Sequence, residues 1–526
     1  MSASRRNIVL TGFMGTGKSA VGREVARRLG RPFVDMDEVI VQRAGMSIAD
    51  IFRQHGEGTF RRYERALCEE LGRQEGLVIA TGGGALVDPY NRELMAANGY
   101  LICLDCEVEE LIRRLEGDDS RPMLWDEDPR KRLVELYRAR RSAYVEVPYH
   151  LDTTSRPLEE IVTEVIGLVQ AEPVVHRVLT PLGNYPIYLI PGGLAHLGAL
   201  LHARDVGANV VLVTDEHVWP LYGKTLLESL RRSRFAPTEI ILPAGERFKT
   251  LDSVRFLYDR FVEAGLDRSA AVIALGGGVI TDMAGFAAAT FMRGVPFVPV
   301  PTTLLGMVDA SIGGKVAVDH PKGKNLIGAF VQPLLVMLDP QTLETLPELE
   351  RRAGLAEVIK AGIIADRELF ERLEAGVDGS DLAWMVQRAI AVKIAVVEED
   401  PYEQGRRAVL NLGHTFAHAF EVLADYQLHH GLAVSMGLAA AAHLAEIRGL
   451  CSVQTRERII STLKGHRLPT SYDSYPPSAV YQAMFADKKR RGTRLRFVLP
   501  KEIGEIVIDS EVREDQVYAA LERIRS

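Results

Sequence analysis

Gly12-Phe13-Met14-Gly15-Thr16-Gly17-Lys18-Ser19 follows directly on the apolar run Ile8-Val9-Leu10. The pattern is G-x-x-x-x-G-K-[ST]. Its glycines let backbone N–H groups wrap phosphates, its lysine reaches the terminal phosphates, and its hydroxyl holds Mg²⁺. The setting it requires is a strand before and a helix after. Ser19 to Leu29 supplies the helix, with apolar residues at helical spacing. The stretch therefore predicts an α/β domain that opens on a nucleoside triphosphate site. Gly12, Gly15, Thr16, Gly17, Lys18, Ser19 and Ala20 would form that site, with Ser19 on the magnesium. The stretch does not say what receives the phosphate, and it takes up only the first part of 526 residues.

At about 100–200 residues per domain, that length predicts roughly three structural units. An apolar content of 47% and a charged content of 25% are those of an ordinary soluble protein. A net charge of −7 argues against a general nucleic-acid binder, which needs a basic face. Four cysteines, Cys68, Cys103, Cys106 and Cys451, are too few for a disulfide framework and point to a reducing cytoplasm. Cys103 and Cys106 make a C-x-x-C, but they lie in a run that reads as a buried strand. No second pair exists to complete a metal site with them. The N-terminus has no apolar signal core, and no segment approaches the length of a membrane span.

Residues 1 to about 170 alternate short apolar runs with helical segments, as in an α/β domain with a parallel sheet. Strands are expected at 7–11, 76–81 and 100–105, and a closing helix at about 157–170. Glu172-Pro173 interrupts the pattern, which places a boundary at 168–176. The alternation resumes from 174 to about 340, with strands at Val210 to Thr214 and Ala270 to Leu275. From 341 the reading turns mainly helical, ending in a hairpin of Leu495 to Leu499 with Glu505 to Ile508 through Gly504. The fold class is thus α/β throughout. A domain at 1–170 carries a parallel sheet, an α/β layer follows at 174–340, and a mainly helical layer occupies 341–526.

Phosphate transfer needs an acceptor site beside the loop. Asp35 and Asp37 stand at the end of an expected strand, where carboxylates can orient Mg²⁺ and a hydroxyl. Arg61 offers a fork that matches a carboxylate. Gly82-Gly83-Gly84 allows close backbone approach to a ligand. Ser120 to Leu124 reads as a lid that carries Arg121, and the helix Arg130 to Tyr144 carries Arg138, Arg140 and Arg141. Taken together, G-F-M-G-T-G-K-S, D-M-D, G-E-x-x-F-R-x-x-E, G-G-G-A, R-P-M-L and R-x-x-x-Y closely resemble shikimate kinase over residues 5 to about 170. The resemblance implies that Asp37, Arg61, Gly83 and Arg140 bind shikimate. It also implies that Asp35 lies near Mg²⁺ and the reacting hydroxyl, that Arg121 is the lid arginine, and that ATP is the donor.

The second half has its own signals. Gly276-Gly277-Gly278-Val279-Ile280-Thr281-Asp282 leads from a strand into a helix, a place suited to a pyrophosphate. It is not G-x-G-x-x-G and lies far into the domain, so on its own it leaves dinucleotide binding open. Asn411 to His418 places His414 and His418 four apart on one helix face. His429-His430-Gly431 follows, and Glu357 stands in an apolar stretch. Two histidines and a glutamate make a catalytic zinc set, and spacing alone nominates both His414 and His418 as ligands. Lys315, Lys324, Lys360, Lys393, Arg407, Lys488 and Lys489 lie around these motifs, several in apolar or glycine-rich settings. Such cations imply an anionic substrate.

P-A-G-E-R-F-K, G-G-G-V-I-T-D-M-A-G-F, F-M-R-G, P-T-T-L-L, D-A-S-I-G-G-K, G-K-N-L-I-G-A-F, A-E-V-I-K, L-N-L-G-H-T-F-A-H and H-H-G strongly resemble 3-dehydroquinate synthase from about 174 onward. By that resemblance Glu357, His414 and His430 are the zinc (or cobalt) ligands, and His418 instead serves the substrate and a proton relay. NAD would be held by Asp215, Glu246, Lys249, Gly277, Gly278, Asp282, Thr302, Thr303, Lys315 and Lys324. Substrate would be held by Asp309, Lys315, Asn325, Lys360, Lys393, Arg407, Asn411, His418 and Lys488, and Arg293 would reach the phosphate across a homodimer interface. Lys18, Asp35, Asp37 and Arg121 would be catalytic in the kinase, and Lys315, Lys360, Lys393 and His418 in the synthase. Thr281 departs from the glycine usual in the family and puts the fine geometry of the pyrophosphate turn in question.

The implied chemistry of this half is oxidation, β-elimination of phosphate, reduction, ring opening and aldol closure of a heptulosonate phosphate, with NAD regenerated each turnover. Two other readings stand beside this one. A metal-dependent polyol dehydrogenase shares the two-layer plan but needs fewer cations. A regulatory nucleotide module would not need Lys18, Asp37, Arg61 and Arg140 together.

Overall fold

The computed structural model describes residues 5–116, 123, 128–403, 405–485 and 495–526. Two compact units are present. One comprises Met1–Pro173, Leu194–Val206 and Leu226–Phe235, and the other Val174–Gly193, Gly207–Thr225 and Ala236–Ser526.

In the first unit, β1 (Asn7–Thr11), β2 (Phe33–Asp35), β3 (Val78–Ala80), β4 (Gly99–Asp105) and β5 (Tyr149–Asp152) form one parallel sheet in the order β2-β3-β1-β4-β5. The central strands are buried on both faces, so they read as continuous apolar runs rather than alternating ones. The phosphate-binding loop leaves the C-terminal end of the central β1 and feeds the helix Lys18–Leu29. Gly12, Gly15 and Gly17 have φ of 129°, 83° and 92°, a region open to glycine at no steric cost. The closing helix runs Leu158–Gln170, and Pro129–Val145 carries Arg140.

In the second unit, β6 (Val174–Thr180) and β7 (Gly183–Leu189) pair antiparallel, and β14 (Val336–Leu338) joins β7 in parallel. Strands β8 (Asn209–Asp215), β9 (Ala236–Leu242), β10 (Ala271–Gly276) and β11 (Phe297–Pro301) make a parallel sheet in the order β11-β10-β8-β9. The glycine turn therefore follows β10, an interior strand of this sheet, and opens the helix Gly278–Thr290. Strands β12 (Lys315–His320) and β13 (Gly323–Phe330) form a hairpin, as do β15 (Phe497–Glu502) and β16 (Glu505–Asp509).

The helical layer is built around His430–Ile447, an alanine-rich helix whose side chains are almost all buried. Its glycines decide how its neighbours approach. A Cβ on Gly431 would overlap the Ala353 carbonyl, and one on Gly437 would overlap the Gly413 carbonyl. These two contacts, six residues apart, draw the helices Glu348–Ala365 and His414–Leu423 onto the N-terminal half of the central helix. No described helix is long and apolar enough to cross a membrane.

Candidate active sites

At the first site, Lys18 Nζ donates to the carbonyls of Gly12 (3.1 Å) and Phe13 (2.9 Å). The lysine is thus folded over the loop that would carry phosphates. Asp35 ends β2, and its Oδ1 caps the next helix by accepting from the N–H groups of Asp37 (3.1 Å) and Glu38 (3.4 Å). Asp37 does not end the strand. It lies in the first turn of the helix Met36–Ala44.

Arg61 Nη1 donates to Glu64 (2.6 Å) and Nη2 to Glu57 (2.7 Å). The Gly82–Gly84 turn leaves room for these groups. A Cβ on Gly84 would overlap the Arg61 guanidinium, and one on Gly82 would meet both Glu64 Oε1 and Asp37 Oδ1. Arg140 is buried, and Tyr144, one turn on, donates to the Gly83 carbonyl (2.6 Å). Asp37, Arg61, Gly83 and Arg140 thus meet around one turn. Burial pushes the Glu64 carboxyl up to about 7, although Arg61 pulls the other way. Glu64 has no assigned role in the sequence reading, yet its Oε1 is buried with no hydrogen-bond partner. Its signal was the three-residue spacing from Arg61. Arg121 and the lid around it lie outside the described residues, apart from Met123.

The second site is a cavity of about 1270 Å³ within the second unit. All ten residues assigned to NAD line it: Asp215, Glu246, Lys249, Gly277, Gly278, Asp282, Thr302, Thr303, Lys315 and Lys324. So do Asp309, Asn325, Lys360, Lys393, Arg407, Asn411, His414, His418 and His430. Lys249 Nζ donates to Asp282 (2.6 Å) and Asn325 (2.6 Å). Burial pushes the Asp282 carboxyl up to about 6 in spite of that lysine. Lys393 pairs with Asp309, and burial holds its ammonium below the usual lysine range.

Lys315 pairs with Glu403, a cavity-lining carboxylate that carries no role in the sequence reading. Its position four residues before Arg407 was the available signal. Arg293 does not line the cavity. It follows Met292 in a left-handed turn, with φ of 51° and 71°, a cost of order 1–3 kcal/mol per residue that the surrounding fold must support. Lys488 and Lys489 lie outside the described residues.

Glu357, His414 and His430 offer ligand atoms that all lie within 4.8 Å of one another. His414 Nε2 stands 3.6 Å and His430 Nε2 3.5 Å from Glu357 Oε1. That oxygen is buried and has no hydrogen-bond partner, an expensive state unless a cation completes it. The other Glu357 oxygen pairs with Lys360. The distal ring nitrogens are held as metal-ligating imidazoles usually are. His430 Nδ1 faces Glu421 Oε1 at 3.3 Å, and His414 Nδ1 faces the Leu412 carbonyl at 3.2 Å.

Burial and Lys360 keep His414 well below the usual histidine range. Burial also works against a charged His430, but Glu357 and Glu421 outweigh it and raise that ring to about 10. The spacing-only pair of His414 and His418 is not the cluster. His418 lines the cavity one turn along, its ring 5.4 Å from that of His414.

Thr281, the departure in the glycine turn, lies inside a regular helix and does not line the large cavity. Its hydroxyl donates to the Gly278 carbonyl at 3.2 Å. The residues a dinucleotide would meet, Gly277 and Gly278, keep their small size: a Cβ on Gly277 would stand 3.1 Å from Thr303. The turn therefore fits a pyrophosphate despite Thr281.

Fold and sites together define a two-site enzyme, a P-loop kinase joined to a metal-site synthase. The shikimate kinase family model matches residues 14–170. The models for the N-terminal and C-terminal parts of 3-dehydroquinate synthase match residues 239–353 and 354–490. The 3-dehydroquinate synthase of Desulforamulus reducens is 47% identical over 350 residues, 65% of this chain and 98% of that protein. That of Synechocystis sp. is 43% identical over 354 residues, 65% of this chain and 97% of that protein. Among solved structures, the 2-epi-5-epi-valiolone synthase of Streptomyces hygroscopicus subsp. jinggangensis, with NAD+ and Zn2+ bound, is 30% identical with a TM-score of 0.60. It covers 66% of this chain and 98% of its own. The chain belongs to the 3-dehydroquinate synthase family and carries a shikimate kinase domain ahead of it. It is a bifunctional enzyme of the shikimate pathway.

Proposed function

We propose that the first site transfers the γ-phosphoryl group of Mg²⁺-bound ATP to shikimate, and that the second converts 3-deoxy-D-arabino-heptulosonate 7-phosphate to 3-dehydroquinate and phosphate with NAD and zinc. We place the kinase at residues 1–170, the NAD layer at 174–340 and the metal and substrate layer at 341–526. We also propose a cytoplasmic homodimer formed through the synthase half.

In the kinase, Arg61 and Arg140 clamp the shikimate carboxylate, and Asp37 accepts from a ring hydroxyl. Lys18 and the loop N–H groups hold the phosphates, and Ser19 holds magnesium. The orphan Glu64 oxygen is a second acceptor beside Asp37.

In the synthase, the zinc supplies Lewis-acid polarisation of a substrate oxygen when bound. Glu357, His414 and His430 would hold it. The helix N-terminus at Gly278 would face the NAD pyrophosphate. Lys393, Lys360 and Arg407 would bind the substrate's anionic groups, with His418 placed to pass a proton. The substrate's own phosphate would take up the proton removed in the elimination.

The observation that carries this reading is the orphaned Glu357 oxygen, which stands within 3.6 Å of the imidazoles of His414 and His430, two residues that line a cavity with Lys360, Lys393 and Arg407. The test is phosphate release from the heptulosonate phosphate with and without chelator. Release that persists unchanged after the metal is stripped would overturn the synthase assignment. Net accumulation of NADH on a polyol would favour a dehydrogenase instead.

A further inference from the structure

Cys103 belongs to a polar row that sequence spacing does not reveal. Parallel register places Thr11, Cys103 and His150 side by side across β1, β4 and β5. Register partners in a parallel sheet share a face, and Asp105, two residues along β4 from Cys103, shares it too. Cys103 and His150 are buried, whereas Asp105 is partly exposed. Cys106, the other half of the C-x-x-C, is not part of the group.

We propose that Cys103, Asp105 and His150 form a binding site for a thiophilic divalent cation such as zinc or cobalt, within the kinase unit and separate from both the Ser19 and the Glu357 positions. The three side chains offer ligand atoms within 4.8 Å of one another. Cys103 Sγ stands 3.5 Å from Asp105 Oδ1, and His150 Nδ1 stands 2.7 Å from Asp105 Oδ2. Tetrahedral zinc bonds of about 2.0–2.3 Å separate such ligand atoms by about 3.3–3.5 Å. The sulfur–oxygen distance already has that length, while His150 meets the other carboxylate oxygen, so the carboxylate must turn and draw back by roughly half an ångström for one oxygen to serve both ligands.

Two further features point to a cation. His150 Nε2 faces the Val147 carbonyl at 3.0 Å, which fixes the ring with Nδ1 toward the cluster. Both ring nitrogens thus face acceptors, while a neutral imidazole has one N–H to give. A cation between Nδ1 and the Asp105 carboxylate would satisfy both groups. Beside Cys103 in the row, Thr11 Oγ1 is buried with no hydrogen-bond partner.

Cobalt(II) added to the metal-free full-length chain is the probe. The Glu357, His414 and His430 set contains no sulfur, so a thiolate-to-cobalt charge-transfer band reports the new site alone. The expected result is two bound cobalt ions per chain, one of them giving the band. C103S should lose the band and one ion, H150Q should weaken that binding at least tenfold, and C106S should leave it intact. Shikimate-dependent ADP formation with magnesium serves as the fold check for each variant. Absence of the band in the wild-type chain at saturating cobalt overturns the proposal whatever the variants do, and so does its survival in C103S.

Discussion

His430 Nε2 lies 3.5 Å from Glu357 Oε1, although the two residues sit on different helices and their approach depends on a glycine. Gly431 lets the helix bearing His430 press its backbone against Ala353, one turn before Glu357. The metal geometry is therefore a packing result as much as a matter of ligand choice.

The outer contact of this cluster is open to test. Glu421 holds His430 Nδ1 at 3.3 Å. A carboxylate that holds the far nitrogen of a metal-binding imidazole is worth about 10–100-fold in metal affinity. E421Q should weaken zinc binding by about that factor, and synthase activity should return with excess zinc. Competition against a chromophoric chelator measures it. An unchanged affinity would mean that Glu421 does not orient the ring.

At the kinase site, the room made by Gly84 is specific. A side chain there would displace the Arg61 guanidinium. Losing a charge-assisted hydrogen bond costs about 1.5–3 kcal/mol. G84A should therefore raise the KM for shikimate by roughly 10- to 100-fold and leave the KM for ATP near its starting value. Steady-state kinetics with each substrate varied in turn decides it.

Glu64 predicts a pH effect. Burial raises its carboxyl from 4.5 to about 7, so the folded chain keeps a proton that the unfolded chain has given up. The sign follows from linkage. The stabilisation is fully present below 4.5 and is lost as the pH rises through about 7. The first unit should therefore become less heat-stable across that window, and E64Q should flatten the slope. Thermal unfolding at a series of pH values, followed by the loss of shikimate-dependent activity, reads it out.

Thr281 sits in the helix with its hydroxyl on its own backbone and does not line the large cavity. T281G should leave the NAD concentration for half-maximal rate within about twofold. In helix propensity it should cost only about 0.3 kcal/mol, because threonine is itself a poor helix former. A tenfold shift in the NAD requirement would show that the residue shapes the turn after all.

The sequence made local geometry easy to read and convergence hard. The phosphate loop was legible because its entire function lies in eight consecutive residues between a strand and a helix. The same holds for the glycine turn before Asp282, where a strand, a turn and a helix N-terminus are contiguous. His418 shows the limit. Its four-residue spacing from His414 puts it on the right helix face, yet the third member of the Glu357–His414 cluster is His430 on another helix, brought there by the packing of Gly413 on Gly437. Only the family resemblance pointed to that set. Glu64, Glu403 and Glu421 were missed because a carboxylate near a cation is common in any sequence, and what marks these three is burial. Cys103 and His150 are distant in sequence and adjacent only through strand register.

If one chain carries two independent activities, single-site variants should separate them in paired assays. K18A removes the lysine folded over the phosphate loop, and H414A removes one of the three proposed metal ligands. K18A should lose shikimate-dependent ADP formation by about 100-fold or more while phosphate release from the heptulosonate phosphate continues at the wild-type rate. H414A should show the reverse. Loss of both activities in either folded variant, or loss of neither, would contradict the account.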